Sequence, residues 1–132
     1  MGKRYLLDTN IAIFYIDNKL PDTVAEFIDG ILKVECNISV ISKMELLGWQ
    51  APSQEDIKTV ENFVNDCTVF LLSDAVVEKV IEIRRVRKIK LPDAIIAATA
   101  LVNNFILISH NDQDFKSIKS LKYLNPFKDA VV

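Results

Sequence analysis

The stretch Leu91-Pro92-Asp93-Ala94-Ile95-Ile96-Ala97-Ala98-Thr99-Ala100-Leu101-Val102-Asn103-Asn104-Phe105-Ile106-Leu107-Ile108 reads in two halves. From Pro92 to about Asn103 the residues are apolar nearly all round a helical wheel, so the helix they form has no face meant for water. Pro92 suits a first helical position, where its missing N–H is no loss. Ala94, Ala97, Ala98 and Ala100 add little bulk, which lets the helix approach a sheet closely. Phe105 to Ile108 is a short apolar run with polar residues on either side, as expected of a strand buried on both faces. Helix and strand therefore belong to the inside of a layered α/β structure.

The same succession recurs toward the N-terminus. Tyr5 to Leu7, Cys36 to Ile41 and Thr68 to Leu72 read as further buried strands. Helical spacing appears from Thr23 to Leu32. It appears again from Gln54 to Asn65, where Ser53 is the N-cap and Ile57, Val60, Phe63 and Val64 form one stripe. A further helix runs from Asp74 to about Arg87 with Val76, Val77, Val80, Ile81 and Ile83 inward. Alternating strands and helices with short connections predict an α/β fold, with a central, mainly parallel sheet and helices on both faces. In such folds ligands bind at the carboxyl ends of the strands. No linker, repeat or low-complexity segment divides the chain, so residues 1–132 are expected to form a single domain.

Composition narrows the function. Half of the 132 residues are apolar and 26% are charged, the balance of a globular chain. An acid, Asp8, interrupts the N-terminus before a secretory apolar stretch can form, and no apolar run reaches membrane-spanning length, so a cytoplasmic protein is expected. Sixteen Lys and Arg against eighteen Asp and Glu give a net charge of −2, which excludes a generally basic mode of nucleic-acid binding and leaves only local contacts. Cys36 and Cys67 lie far apart, in neither a C-x-x-C pair nor a zinc-ligand spacing, and read as buried free thiols.

Acids gather where the predicted strands stop. Asp8-Thr9-Asn10 follows the first strand, and Asp8 also suits an N-cap for a helix from near Ile11. Ser42 and Glu45 follow the second strand at the spacing of a capping box. Asp93 lies in a helix's first turn, where the dipole favours a carboxylate. Ser109-His110-Asn111-Asp112-Gln113-Asp114 follows the last strand as a turn-like cluster. Each acid has a structural explanation of its own, yet parallel strands bring all four groups to one edge. Carboxylates so placed repel one another unless a cation offsets them, and Mg²⁺ or Mn²⁺ prefers such oxygen ligands together with substrate phosphates. A metal can activate water for attack on a phosphodiester, whereas His110, the only histidine, cannot serve as one of two catalytic imidazoles. His110 itself reads as an exposed turn residue. The basic run Arg84-Arg85-Val86-Arg87-Lys88-Ile89-Lys90 reads as a solvated helix end that can also reach RNA phosphates. Tyr15 and Trp49 read as packing residues.

Leu6-Leu7-Asp8-Thr9-Asn10, Ile41-Ser42-Lys43-Met44-Glu45-Leu46, Lys90-Leu91-Pro92-Asp93-Ala94 running into Ala97-Ala98-Thr99-Ala100, and Ile108-Ser109-His110-Asn111 with Asp114-Phe115 resemble the successive motifs of PIN domains, especially VapC-type toxins. The resemblance spans nearly the whole chain. It implies a PIN-like fold and a Mg²⁺- or Mn²⁺-dependent endoribonuclease, the toxin of a toxin–antitoxin pair, acting on RNA as a homodimer with an antitoxin bound near the site. Asp8, Glu45 and Asp93 match the family's metal-binding acids. The fourth acid is Asp114, with Asp112 the alternative. Asn10, Asn111, Asp112, Arg84 and Arg87 are candidate substrate contacts. A housekeeping RNA-processing nuclease and a non-catalytic binding module remain alternatives on the same fold. Two other α/β classes fit less well. A haloacid-dehalogenase-like phosphatase wants a second Asp where Asn10 stands, and a receiver domain wants an acid pair after the first strand.

Overall fold

The computed structural model describes residues 2–129. Its elements in chain order are β1 (Tyr5–Leu7), α1 (Thr9–Ile16), α2 (Asp22–Leu32), β2 (Asn37–Ser39), α3 (Val40–Leu47), α4 (Gln54–Asn65), β3 (Thr68–Phe70), α5 (Asp74–Val86), α6 (Leu91–Val102), β4 (Ile106–Ile108), α7 (Asp112–Phe115) and β5 (Tyr123–Leu124). Every ladder among them is parallel. β4 pairs with β1, Leu6 opposite Leu107, and with β5, Leu107 opposite Tyr123; β2 pairs with β3, Ile38 opposite Val69. β1 and β2 lie side by side without a ladder, and the Asn37 amide bridges them by donating to the Tyr5 carbonyl at 3.0 Å.

The two-residue period of a strand sends alternate side chains to opposite faces, and here it sorts the interior into two cores. Leu6 and Leu107 pack on one side with Val76, Val80 and Ile83 of α5 and the alanines of α6. Leu7 and Ile108 pack on the other with Ile11 and Ala12 of α1, Ile28 of α2 and Val60 and Val64 of α4. The expected architecture, a parallel sheet with helices on both faces, is the one observed. α6 buries every residue from Ala94 to Ala100, as its all-round apolar sequence requires.

Departures are local. β2 stops at Ser39 instead of continuing to Ile41, because the Ser39 hydroxyl accepts from the Ser42 N–H at 3.2 Å and starts α3 there. The capping box expected of Ser42 and Glu45 is therefore absent, and Ser42 lies inside the first turn. Val77 and Ile81 of α5 face outward, at 39% and 45% exposure. Ile57 of α4 is likewise exposed. β3 is an edge strand and only half-buried. Cys36 and Cys67 are not free thiols but form a disulfide. Each immediately precedes its strand, and the register that sets Asn37 opposite Thr68 brings their Cα atoms to 4.6 Å across a separation of 31 residues that sequence spacing alone does not bridge. No helix among the described residues is long and apolar enough to cross a membrane.

Candidate active site

β1, β2 and β4 all run toward one edge, and each hands over there to a helix or turn that carries an acid. Asp8 caps α1, one oxygen accepting the Thr9 N–H at 2.8 Å and the other the Ser109 hydroxyl at 2.7 Å. Asp8 therefore caps α1 and also lies within reach of the other acids, so its capping role does not exclude a place in the site. It is only 5% exposed. Burial drives its pKa up, the Ser109 and Thr9 hydrogen bonds oppose that rise, the nearby Glu45 adds to it, and His110 lowers it.

Glu45 points from the middle of α3 toward the same place. The Thr9 hydroxyl lies 2.5 Å from a Glu45 oxygen and 2.9 Å from the Ser42 hydroxyl. A hydroxyl has one proton to give, so Thr9 donates to the carboxylate and accepts from Ser42. Thr9, Ser42 and Ser109 hold the acids in place, and as uncharged hydroxyls they drew no functional reading. The available signal was a hydroxyl residue adjoining the acid or the strand end in D-T-N and I-S-H-N.

Asp93, in the first turn of α6, meets Asp114 from α7 within hydrogen-bonding reach. Burial, then Asp114, then Asp8 and Glu45 push the Asp93 carboxyl up to about 7. The structure thus brings Asp8, Glu45, Asp93 and Asp114 into mutual electrostatic reach. Asn111 serves Asp114. Its side chain caps α7 by accepting the Asp114 N–H at 3.4 Å and donates to the Asp114 carboxylate at 2.8 Å. Asp112 is turned to another task. It accepts from the Tyr123 hydroxyl at 2.6 Å, the Asn125 amide at 3.0 Å and the Lys128 ammonium at 3.0 Å, and these contacts hold its carboxyl well below the usual range. Asn10 is exposed in the first turn of α1. Arg84 and Arg87 are occupied elsewhere, Arg84 donating to the Ile89 carbonyl at 3.2 Å and Arg87 to the Ser117 hydroxyl at 2.9 Å.

Among the described residues no trio of His, Cys, Asp or Glu is drawn in closely enough to chelate an ion. The donor chemistry nevertheless suits a hard divalent cation. Asp8, Glu45 and Asp114 all act on Asp93, and among the described residues no Lys or Arg pairs with any of the four. Such a set repels itself apart until a cation offsets it.

Over residues 5–121 the sequence matches the pattern of the PIN domain. The chain belongs to the PIN-domain family. Its fold is that of solved toxin–antitoxin proteins. One is VapBC2 from Rickettsia felis bound to a promoter DNA fragment, with 25% identity and a TM-score of 0.77 over 92% of this chain and 97% of that one. Another is VapBC-1 from nontypeable Haemophilus influenzae, with 28% identity and a TM-score of 0.76 over 94% and 98%. A third is a toxin–antitoxin complex from Klebsiella pneumoniae, with 28% identity and a TM-score of 0.72 over 92% and 97%. No curated protein matches the sequence. The chain is a PIN domain of the VapC type, a group whose members are generally nucleases.

Proposed function

We propose that this PIN domain is a Mg²⁺- or Mn²⁺-dependent endoribonuclease and the toxin of a toxin–antitoxin pair. One observation carries the reading: Asp8, Glu45 and Asp114 gather around Asp93 and, with its burial, raise its carboxyl to about 7, and among the described residues no Lys or Arg forms an ion pair with any of the four. Asp8, Glu45, Asp93 and Asp114 would hold the metal, which supplies a hydroxide at neutral pH and charge stabilisation at the scissile phosphate. The chain's own groups prepare that site. Ser109 and the Thr9 N–H keep Asp8 aimed and favour its charged form against its burial, the Thr9 hydroxyl fixes Glu45, and Asn111 holds Asp114.

Partners follow from the same reading. The acid cluster suits an antitoxin segment that brings Arg or Lys to its carboxylates. The exposed residues Leu72, Val77, Ile81 and Leu91 line an apolar recess of about 450 Å³ with Val80 and Ile95, which supports a homodimer. The absence of a membrane-crossing helix among the described residues accords with cytoplasmic action. The test is cleavage of structured RNAs with Mg²⁺, with excess chelator, and by Asp93→Asn, alongside growth on induction. Metal-dependent cutting and growth arrest, both abolished in Asp93→Asn, are expected. Undiminished cutting in chelator overturns the metal site, and cutting without growth arrest replaces the toxin by a housekeeping RNA-processing nuclease.

A further inference from the structure

Beside the acid cluster three aromatic rings meet that the proposed chemistry does not use. Phe14 of α1 lies edge to face with His110 after β4 and with Phe127 after β5, and His110 and Phe127 are tilted against each other, with centroid separations of 5.3 Å for Phe14–His110, 5.9 Å for His110–Phe127 and 6.2 Å for Phe14–Phe127. Their planes are inclined by 66°, 55° and 85°, so the rings form a notch and not a stack. The notch adjoins the site. His110 follows Ser109, which holds Asp8, and its charge acts on Asp8 directly. Phe14 lies one helical turn beyond Asn10 on the same face of α1.

Ordinary packing does not account for Phe127. The residue is 41% exposed even with its ring against Phe14 and His110, and the turn that bears it is fixed without it. Asp112 ties down Tyr123, Asn125 and Lys128. The Phe127 N–H donates to the Asn125 side chain at 3.0 Å, and the Asn125 N–H to Asp129 at 2.8 Å. Asp112, considered from sequence as a fourth metal ligand, thus helps to set a partly exposed aromatic residue beside the acid cluster. A fixed, exposed ring beside a phosphodiester-cleaving centre is what binds the base of an unpaired nucleotide, since every base has a π-face and a single-stranded base is free to leave its stack.

We propose that Phe127, flanked by His110 and Phe14, stacks an unpaired RNA base next to the scissile phosphate. The inference rests on the nuclease reading above. Because His110 is the only histidine, its imidazole C–H signals are identifiable in a proton NMR spectrum without further labelling. Adenosine 5′-monophosphate, which has no internucleotide bond to be cut, is titrated in Mg²⁺ against ribose 5-phosphate, which lacks the base. The nucleotide should shift the His110 signals to saturation, ribose 5-phosphate should not, and Phe127→Leu should remove the shift while Phe127→Trp keeps it. On an RNA substrate Phe127→Leu should raise KM roughly tenfold, with the loss falling on KM and not on kcat. Equal shifts from both ligands, or none from the nucleotide, overturn the notch as a base site. So does a Phe127→Leu protein that binds nucleotide and RNA normally but loses affinity for an antitoxin. If wild type cuts RNA while the His110 signals stay still, this inference alone fails. If the nucleotide stacks but no RNA is cut, the nuclease reading fails and the base site stands.

Discussion

Glu45 shows how much depends on a single residue's neighbours. With the cap of α3 assigned to Ser39, Glu45 has no capping duty, and its partner is the Thr9 hydroxyl. A glutamine can still accept that proton but brings no charge for a metal. Glu45→Gln should therefore melt within about 0.5 kcal/mol of wild type and lose metal-dependent cleavage; a variant that cuts normally removes Glu45 from the centre. Asp93 makes a second prediction, for the metal-free protein. Its folded carboxyl titrates near 7 while an unfolded one titrates near about 4. The folded state holds this proton more tightly, so the contribution is complete below about pH 4 and is lost as pH rises through about 7. Asp8, also raised, acts in the same direction. Asp112 and Glu35, both lowered, act in the opposite direction, and only at acid pH. In chelator the melting temperature should fall between pH 5 and pH 8, Mn²⁺ should restore it, and Asp93→Asn should flatten most of the slope. A metal-free melting curve indifferent to pH over that range contradicts the clustering of the acids.

At the scale of elements, α7 and β5 divide the labour of two acids that look alike in sequence. Asp114 turns toward Asp93, while Asp112 binds β5 and the segment that follows it. Asp112→Asn should speed amide exchange over residues 123–129 and leave Mn²⁺ affinity near wild type. Asp114→Asn should weaken Mn²⁺ binding and leave exchange there unchanged. Exchanged phenotypes would make Asp112 the ligand. The longer elements were legible because burial repeats over many residues. The bounds of α4 and of β1 coincide with the sequence reading, and those of α5 and α6 lie within a residue of it. Two of the short ones were not. β5 has two residues and α7 four, too few for a period to show. At the start of α3, Val40 and Ile41 carry strand propensity, and one buried hydroxyl at Ser39 overrules it.

Across the whole molecule, the convergence of Asp8, Glu45 and Asp114 was legible because parallel strands end on one edge; Asp93 opens α6 directly after α5, with no strand before it, so that rule does not place it. The opposite edge was not legible. Whether Cys36 meets Cys67 depends on the register of β2 against β3, and nothing in the spacing of two cysteines encodes that register. The disulfide closes a loop across a separation of 31 residues, and in the chain-entropy view such a link restricts the unfolded state by about 4 kcal/mol. It stands at the amino ends of β2 and β3, whereas the acids stand beyond the carboxyl ends of β1, β2 and β4, a strand's length of roughly 10 Å away. Stability and catalysis should therefore separate. Reduction, or the double change Cys36→Ala and Cys67→Ala, should lower the melting temperature by roughly 10 °C while the rate of metal-dependent cleavage at 25 °C stays within about twofold of the oxidised protein's. In a reducing compartment the pair would exist as thiols, and the less stable form would be the working one. Equal melting of oxidised and reduced protein would show that the two cysteines remain apart. A large fall in cleavage without a fall in stability would show that the two edges are coupled through β2 and α3.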